Sequence, residues 1–446
     1  MRQSLPQTTL TALLLTLNTI TTSTAAAPKH NELTNEYTFE QYITDFHKTY
    51  ESSQEYERRR AIFETKLEVI LAHNNRSDVT YKKGVNHFTD YEQNEGHFGH
   101  VKGLNNHAQS NTNANIQSPL ASNAEIARAL LSTSTTDDLP FDLSPVSELP
   151  KEVDWRTKGV VTAVKDQGSC GSCWAFAAME ALESHVALST GTLFEFAPQE
   201  LVSCMPNPMK CGGIGGCAGA TVDLAFDFVM NNGGILEEFQ MGYTSYYGKN
   251  GDCYVIDDDG AAVSPAMLRA TTTTTTTTTS SVNDNPGPDP EGVKGAVATI
   301  EGYMLLTKNS YVELMNAVAK YGPVPISVAA SPWKEYESGV FQMEGGYTAK
   351  NLDINHATVC VGYGTDEDTG LDYWLVRNSW KPTWGEGGYI RILREDPDEV
   401  DEDICGVDET PSHGSECIGG ADSITVCGTS GILYENFIPM GGKLLI

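Results

Sequence analysis

The chain has 446 residues, 40% of them hydrophobic, enough for a sizeable core shared between two or three structural units. Lys and Arg number 29 against 59 Asp and Glu, and the resulting net charge of −30 argues against binding nucleic acid or an anionic membrane surface through a basic face. The N-terminus carries Arg2, a short apolar run from Leu10 to Leu17, then small residues to Ala27. That run falls far short of the ~20 residues a membrane-spanning helix needs, so residues 1–26 read as a secretory signal peptide and no membrane span is expected. The implied route is oxidising and leads to a lysosome, a vacuole or the exterior, and the ten cysteines can pair along it.

From Phe39 to about Asn75 the apolar residues have helical spacing. Phe39, Tyr42, Ile43 and Phe46 share one face, and after Glu51-Ser-Ser a second helix carries Phe63, Leu67 and Ile70, so two helices should pack together. Along the second, Glu55, Arg59, Phe63, Lys66, Ile70 and Asn74 lie close to one line. On physical grounds this is an amphipathic stripe with a Glu–Arg pair four apart. It is also similar to the helix motif of cathepsin L-type propeptides, with Lys66 in place of the usual Asn. Gly84, Asn86, Phe88 and Asp90 match the second motif of those propeptides at every expected position. The resemblance implies an inhibitory propeptide over residues 27–147, folded over about 36–95 and followed by a flexible linker over about 96–146. Within that linker Asn105 to Asp138 is rich in Ser, Thr, Asn and Ala and cannot bury enough to order itself. The Asn75-Arg-Ser77 sequon would leave with the propeptide. Leu149-Pro-Lys-Glu-Val-Asp154-Trp155 looks like a mature start, and release in acid is expected because carboxylate contacts weaken as pH falls.

The run Gln167-Gly-Ser-Cys170-Gly-Ser-Cys173-Trp174-Ala-Phe176 places a thiol where a helix begins, after a glycine-rich polar loop. Free backbone N–H groups and the positive end of the helix dipole favour thiolate over thiol there. The run resembles the catalytic-cysteine segment of papain and the cathepsins. A nucleophilic thiol needs an imidazole within reach, and three histidines follow the propeptide. His185 sits twelve positions along the same helix, about 18 Å away along its axis. His413 falls in a polar, turn-rich loop. His356 opens an apolar, β-branched run that reads as a buried strand, which fixes an imidazole firmly. Beyond an acidic turn a second strand ends in Asn378, whose amide oxygen can set the imidazole tautomer, and Trp380, which can shield that bond from water. The Gln167 side-chain amide and the Cys173 N–H are the expected oxyanion donors.

The papain-like resemblance covers about residues 36–95 and 148–440. It implies an α+β fold, with a helical lobe led by Cys173, a β-barrel-like lobe bearing His356 and Asn378, and a cleft between them. The mature peptidase domain would span 148–446. It would act as a monomeric cysteine endopeptidase on protein and peptide substrates, needing no cofactor or metal and held inactive by its own propeptide. A catalytically idle homologue that binds or inhibits through the propeptide is the other reading. A zinc or thioredoxin-like role for Cys170-x-x-Cys173 lacks a second cysteine pair or a βαβ context. The resemblance pairs Cys170 with Cys217 and Cys204 with Cys253. Of Cys211, Cys360, Cys405, Cys417 and Cys427, at least one stays free, and Cys360 inside its strand is the candidate. Two of Cys405, Cys417 and Cys427 should pair around the acidic segment Glu395 to Asp403, in an order the sequence leaves open. The threonine tract Thr271 to Thr279 reads as a surface loop and accounts for much of the long Cys173-to-His356 spacing. The resemblance also implies a substrate wall from Gly219, Ala220, Thr221 and Val222. It places a pocket for the second residue before the scissile bond between that wall and Ala329 and Ile354, with Glu435 at its floor. That pocket should accept Phe or Leu, with some tolerance of Arg through Glu435.

Overall fold

The computed structural model describes residues 27–92, 95, 139–256, 262–263, 295–344, 352–398 and 404–446. The apolar N-terminal run, the Asn105–Asp138 stretch, the threonine tract and the end of the acidic segment lie outside the described residues.

Two helices come first among the described residues, as their periodicity predicts: α1 (Phe39–Asp45) and α2 (Ser53–Asn74). Thr38 and Gln41 form a reciprocal capping box at the start of α1, and the Ser52 side chain accepts from Glu55 N–H at the start of α2. Phe39, Tyr42, Phe63, Leu67 and Ile70 join in one small core. Asp90, from the second motif, closes this unit: its carboxylate accepts from Tyr42 and Tyr50 hydroxyls at 2.7 and 2.9 Å and from Lys48 Nζ at 2.7 Å.

The unit then docks on the main body through its own sequence motifs. A short strand, β1 (Tyr81–Lys83), adds antiparallel to the edge of the main sheet, Tyr81 opposite Gly339. Asn86 Nδ2 donates to Lys334 O at 2.6 Å, and Gly84 N donates to Glu335 O at 2.8 Å. A Cβ on Gly84 would meet the Glu337 carboxylate at 2.1 Å, so a larger residue there would have to displace the Glu337 side chain. Lys66, the departure from the propeptide pattern, pairs with Glu335 at 2.6 Å. His30, His73, Arg76 and Lys83 reach Glu337 or Glu344 in the same way. These ion-pair contacts share one polarity, with Lys, Arg and His side chains on the N-terminal unit and carboxylates on the body.

Among the described residues of the main body, the α-helices are α3 (Cys173–Thr190), α4 (Pro198–Cys204), α5 (Val222–Asn231) and α6 (Tyr311–Lys320). After β1, and leaving aside the two-residue pairs Val255–Ile256 with Ala262–Val263 and Ala298–Thr299 with Lys443–Leu444, the described strands are β2 (Val153–Asp154), β3 (Gly302–Leu305), β4 (Val324–Val328), β5 (Tyr336–Phe341), β6 (His356–Thr365), β7 (Asp372–Arg377), β8 (Tyr389–Leu393), β9 (Cys405–Asp408), β10 (Ile424–Cys427) and β11 (Phe437–Met440). The seven-stranded sheet runs β1-β5-β8-β7-β6-β2, with β4 also paired to β6, Val328 opposite His356. Strand β6 divides two cores. Ala357, Val359 and Val361 face the core built on α3, whereas Cys360 and Tyr363 face the core of the β lobe. Burial on both faces explains why its sequence is an unbroken apolar run rather than an alternating one. Helix α3 is buried along Cys173 to Ala187, as a helix packed all round must be. Among the described residues no helix is long and apolar enough to cross a membrane.

Four disulfides form. Cys170–Cys217 and Cys204–Cys253 staple the helical lobe as the resemblance implies, and Cys405–Cys427 ties β9 to β10. The fourth, Cys211–Cys417, joins the two lobes, a pairing the sequence reading left out. Cys360 stays a buried thiol, and burial pushes its ionisation up to about 12, so it is inert.

Candidate active site

Cys173 is the first residue of α3, buried, in reduced form and with no acidic side chain in the helix's first turn. The preceding loop is fastened on both sides. Gln167 N donates to Ser379 O at 3.0 Å, and the Tyr243 hydroxyl bonds both Gln167 O at 2.8 Å and Ser172 Oγ at 2.7 Å. The Gln167 side chain is fully buried. Its Oε1 accepts from Ser379 Oγ at 2.6 Å, which orients Nε2 toward the helix start, where it donates to Cys170 O at 3.0 Å. An amide nitrogen carries two N–H groups, so this bond uses one of them.

His356 begins β6, the strand that packs on α3, with Ala357 in the same core as Cys173. Its Nε2 lies 2.9 Å from Asn378 Oδ1, which also accepts from Ser379 N at 2.8 Å. An oxygen that already accepts a backbone N–H is fixed as the amide oxygen, so His356 Nε2–H is the donor and Nδ1 is the nitrogen left to exchange a proton. Trp380 stacks on the imidazole at 4.8 Å between ring centroids, and Trp384 meets Trp380 edge-on at 5.1 Å. The bond is thereby kept from water. Phe88 of the N-terminal unit sits edge-on to Trp380 at 5.1 Å, so that unit reaches the rim of the same site.

The end of β7 is locked to α3 from below. Arg377, adjacent to Asn378, is buried and pairs with Glu180 at 3.2 Å while donating to Thr162 Oγ1 at 3.1 Å and Ala163 O. Burial pushes the Glu180 carboxyl up to about 7, with Arg377 and then Lys165 pulling it back. A few residues on, Lys165 pairs with buried Glu183. Sequence reasoning did not single out these buried ions, although two glutamates inside an otherwise apolar helix are a legible signal that cations must meet them.

The other histidines go elsewhere. His185 is buried, Nε2 against Pro323 O at 2.8 Å, and burial pulls its ionisation down to about 4, so it is a neutral core residue. His413 lies half-buried in the loop between β9 and β10.

Of the remaining residues, Gly219 has φ of +89°, Ala220 is buried, and extended Thr221 caps α5, which Val222 begins. Ala329 and Ile354 pack together with Leu352, Val426 and Tyr434. Glu435 is buried with its carboxylate on Ser327 Oγ at 2.9 Å. Burial and then the neighbouring Asp223 push its ionisation up to about 8.

A model of the papain family of cysteine proteases matches residues 149–414, and one of the cathepsin propeptide inhibitor domain matches residues 39–95. The chain is 32% identical over 388 residues to "Probable cysteine protease RDL3" of Arabidopsis thaliana, covering 86% of this chain and 84% of the relative. It is 35% identical over 346 residues to the oryzain beta chain of Oryza sativa subsp. japonica, covering 76% and 58%. Among solved structures it is similar to digestive procathepsin L2 proteinase from Tenebrio molitor larval midgut, with TM-score 0.59, 27% identity and coverage of 90% and 98%. A recombinant stem bromelain precursor matches with TM-score 0.59, 26% identity and coverage of 90% and 97%.

Proposed function

Because the chain belongs to the papain family of cysteine proteases and carries that family's propeptide inhibitor domain, we propose that it is a cysteine endopeptidase zymogen that works through Cys173, His356 and Asn378. The observation that carries this reading is the Trp380-covered His356–Asn378 bond on the strand packed against the helix that Cys173 begins.

In the proposed cycle, the Cys173 proton passes to His356 Nδ1, giving a thiolate at the positive end of α3. The sulfur attacks the substrate carbonyl carbon. The resulting oxyanion is held by the Gln167 amide and the Cys173 N–H, a kind of donor worth roughly 10²–10³ in rate. As the C–N bond breaks, the imidazolium returns its proton to the departing amine and an acyl-enzyme remains. His356 then takes a proton from water, whose oxygen attacks the thioester carbon, and the acid product leaves as the thiol re-forms. Asn378 keeps Nε2 protonated throughout, so that Nδ1 always performs the transfer.

We infer that Thr221–Val222 and Ala329–Ile354 flank the pocket for the second residue before the scissile bond; the apolar side chains of Val222, Ala329 and Ile354 would suit Leu or Phe there. We further infer a signal peptide over 1–26, a propeptide over 27–147 and a monomeric mature domain over 148–446. Traffic through the secretory pathway to a lysosome, vacuole or the exterior fits the four disulfides. To test the assignment, Cys173→Ser and His356→Ala are compared with wild type for amide hydrolysis and for labelling by a thiol-directed dipeptide epoxide. Loss of turnover in both is expected. Normal turnover by either folded variant would overturn the assignment.

A further inference from the structure

Two loops that do not belong to the catalytic machinery meet beside the residues proposed to form the substrate pocket. One, from Cys211 to Gly216, follows α4 in the helical lobe, and the other links β9 to β10 in the β lobe. They are joined by Cys211–Cys417 and by Gly212 N donating to Glu416 O at 3.0 Å.

Each loop rests directly on one wall of the pocket. On the helical side, a Cβ on Gly212 would lie 2.9 Å from both Ala220 O and Thr221 Cγ2. Ile214 N and Gly215 N donate to Ala218 O and Gly219 O at 3.1 and 2.7 Å. On the β side, a Cβ on Gly414 would fall 1.7 Å from Ile354 O, so the loop backbone presses against the residue two before His356. Ile354 N donates to Asp408 Oδ2 at 3.0 Å, and Thr410 Oγ1 donates to Asp353 Oδ1 at 2.6 Å. Val426 of β10 packs in the same cluster as Ala329 and Ile354. Glu416, next to Cys417, is held by Lys308 Nζ at 2.9 Å and the Tyr434 hydroxyl at 3.0 Å, close to Glu435.

We propose that Cys211–Cys417 is a specificity-determining clasp that fixes the separation of the two walls of the pocket for the second residue before the scissile bond. The inference rests on the placement of that pocket under the proposed peptidase function. Two lobes meeting through side-chain packing alone can shear by small amounts to seat a larger group. A covalent tie between the loops backing both walls removes that adjustment, and close-packed walls do not yield by themselves. The clasped pocket therefore admits Leu and Phe and turns away Trp. One misfitting group in an apolar pocket commonly shifts selectivity by about 10–200-fold, which sets the expected scale.

The test compares acid-activated wild type with the Cys211→Ser/Cys417→Ser double variant, each active site counted by epoxide titration. Peptides differing only in the second residue before the bond, Val, Leu, Phe or Trp, report kcat/KM. The clasp predicts that the Leu-to-Trp ratio falls at least about tenfold in the variant, through a gain on Trp with little change on Leu. An unchanged ratio overturns it. Should the double variant fail to fold, wild type is treated with graded dithiol while peptide mapping follows the Cys211–Cys417 bridge. The ratio should then fall in step with bridge opening, and a constant ratio would overturn the clasp. Failure of fully folded wild type with a titratable Cys173 to cleave any of the four peptides would instead defeat the peptidase reading, and the clasp with it.

Discussion

Glu200 offers a sharp test of how burial shapes the stability of this protein. It lies on α4, 2% exposed, with Oε2 accepting from Leu236 N at 2.9 Å. Burial pushes its carboxyl up to about 8, with the Leu236 N–H pulling back. In the unfolded chain a glutamate ionises near 4.3. The folded state therefore retains a proton that the unfolded state gives up, and stability falls as pH rises from about 4.5 toward 8. Each pH unit in that window costs about 1.4 kcal/mol, so this one side chain removes roughly 3 kcal/mol between pH 5 and pH 7. Against a total of about 5–15 kcal/mol for a typical domain, that is readily measured. Glu200→Gln keeps the shape and the acceptor for Leu236 N–H but cannot ionise. Urea unfolding followed by tryptophan fluorescence, in a Cys173→Ser background that prevents self-digestion, should give similar stability for the two proteins at pH 5. At pH 7 the variant should be more stable by roughly 3 kcal/mol. Glu180, Glu435 and His185 titrate in both proteins and cancel in the difference. Parallel pH profiles for wild type and Glu200→Gln would refute the reasoning.

Asn378→Ala removes the acceptor that holds His356 Nε2. Losing a buried partner of this kind costs about 1–3 kcal/mol, so kcat on an amide substrate should drop by roughly 5–150-fold while the epoxide still labels Cys173. Asn86→Ala deletes the 2.6 Å bond to Lys334 O and the 2.9 Å bond from Phe88 N. The isolated propeptide carrying it should inhibit the mature enzyme at least about tenfold more weakly in a titration, and equal inhibition would contradict the docking geometry. Glu435 is neutral below about 8, so it supplies little charge for an Arg side chain in acid. The ratio of kcat/KM for Arg over Phe at the second position should rise as pH approaches 8.5 in wild type and stay flat in Glu435→Gln. The carboxylates facing the propeptide should set its release. The Glu344 carboxyl meets an upward push from burial, outweighed by the His73 hydrogen bond and by Lys83 and Arg76, so it sits below the usual carboxylate range. Its contribution to docking is present above the ordinary carboxylate value and lost as pH falls through the lowered one. Glu344→Gln should therefore move the onset of self-processing, followed on gels, to higher pH.

Much of the fold could be read because chemistry demanded particular residues at element ends. A thiol opening a helix, an imidazole opening a strand and an amide just beyond the next strand are visible without coordinates. The chain likewise announces α1, α2 and the two motifs that dock them. Long-range pairings were not legible. Cys211 and Cys417 lie 206 residues apart, and nothing local tells either thiol which partner the fold will bring. Lys66 looked like a mere departure from a pattern until Glu335 appeared opposite it. Tyr81–Lys83 gave no strand signal, being short and polar, and becomes one only because β5 offers an edge.

That borrowed edge has an outcome of its own. When the N-terminal unit departs, β5 loses its outer neighbour, and the backbone of Tyr336–Gly339 that β1 had faced is left at an open sheet edge. Bare rims of this sort invite fibrillar stacking, yet Glu335, Glu337 and Glu344, stripped of their Lys and His partners, line this one with like charge. The anions that seat the inhibitor thus become the guard that keeps one liberated enzyme from zipping onto the next.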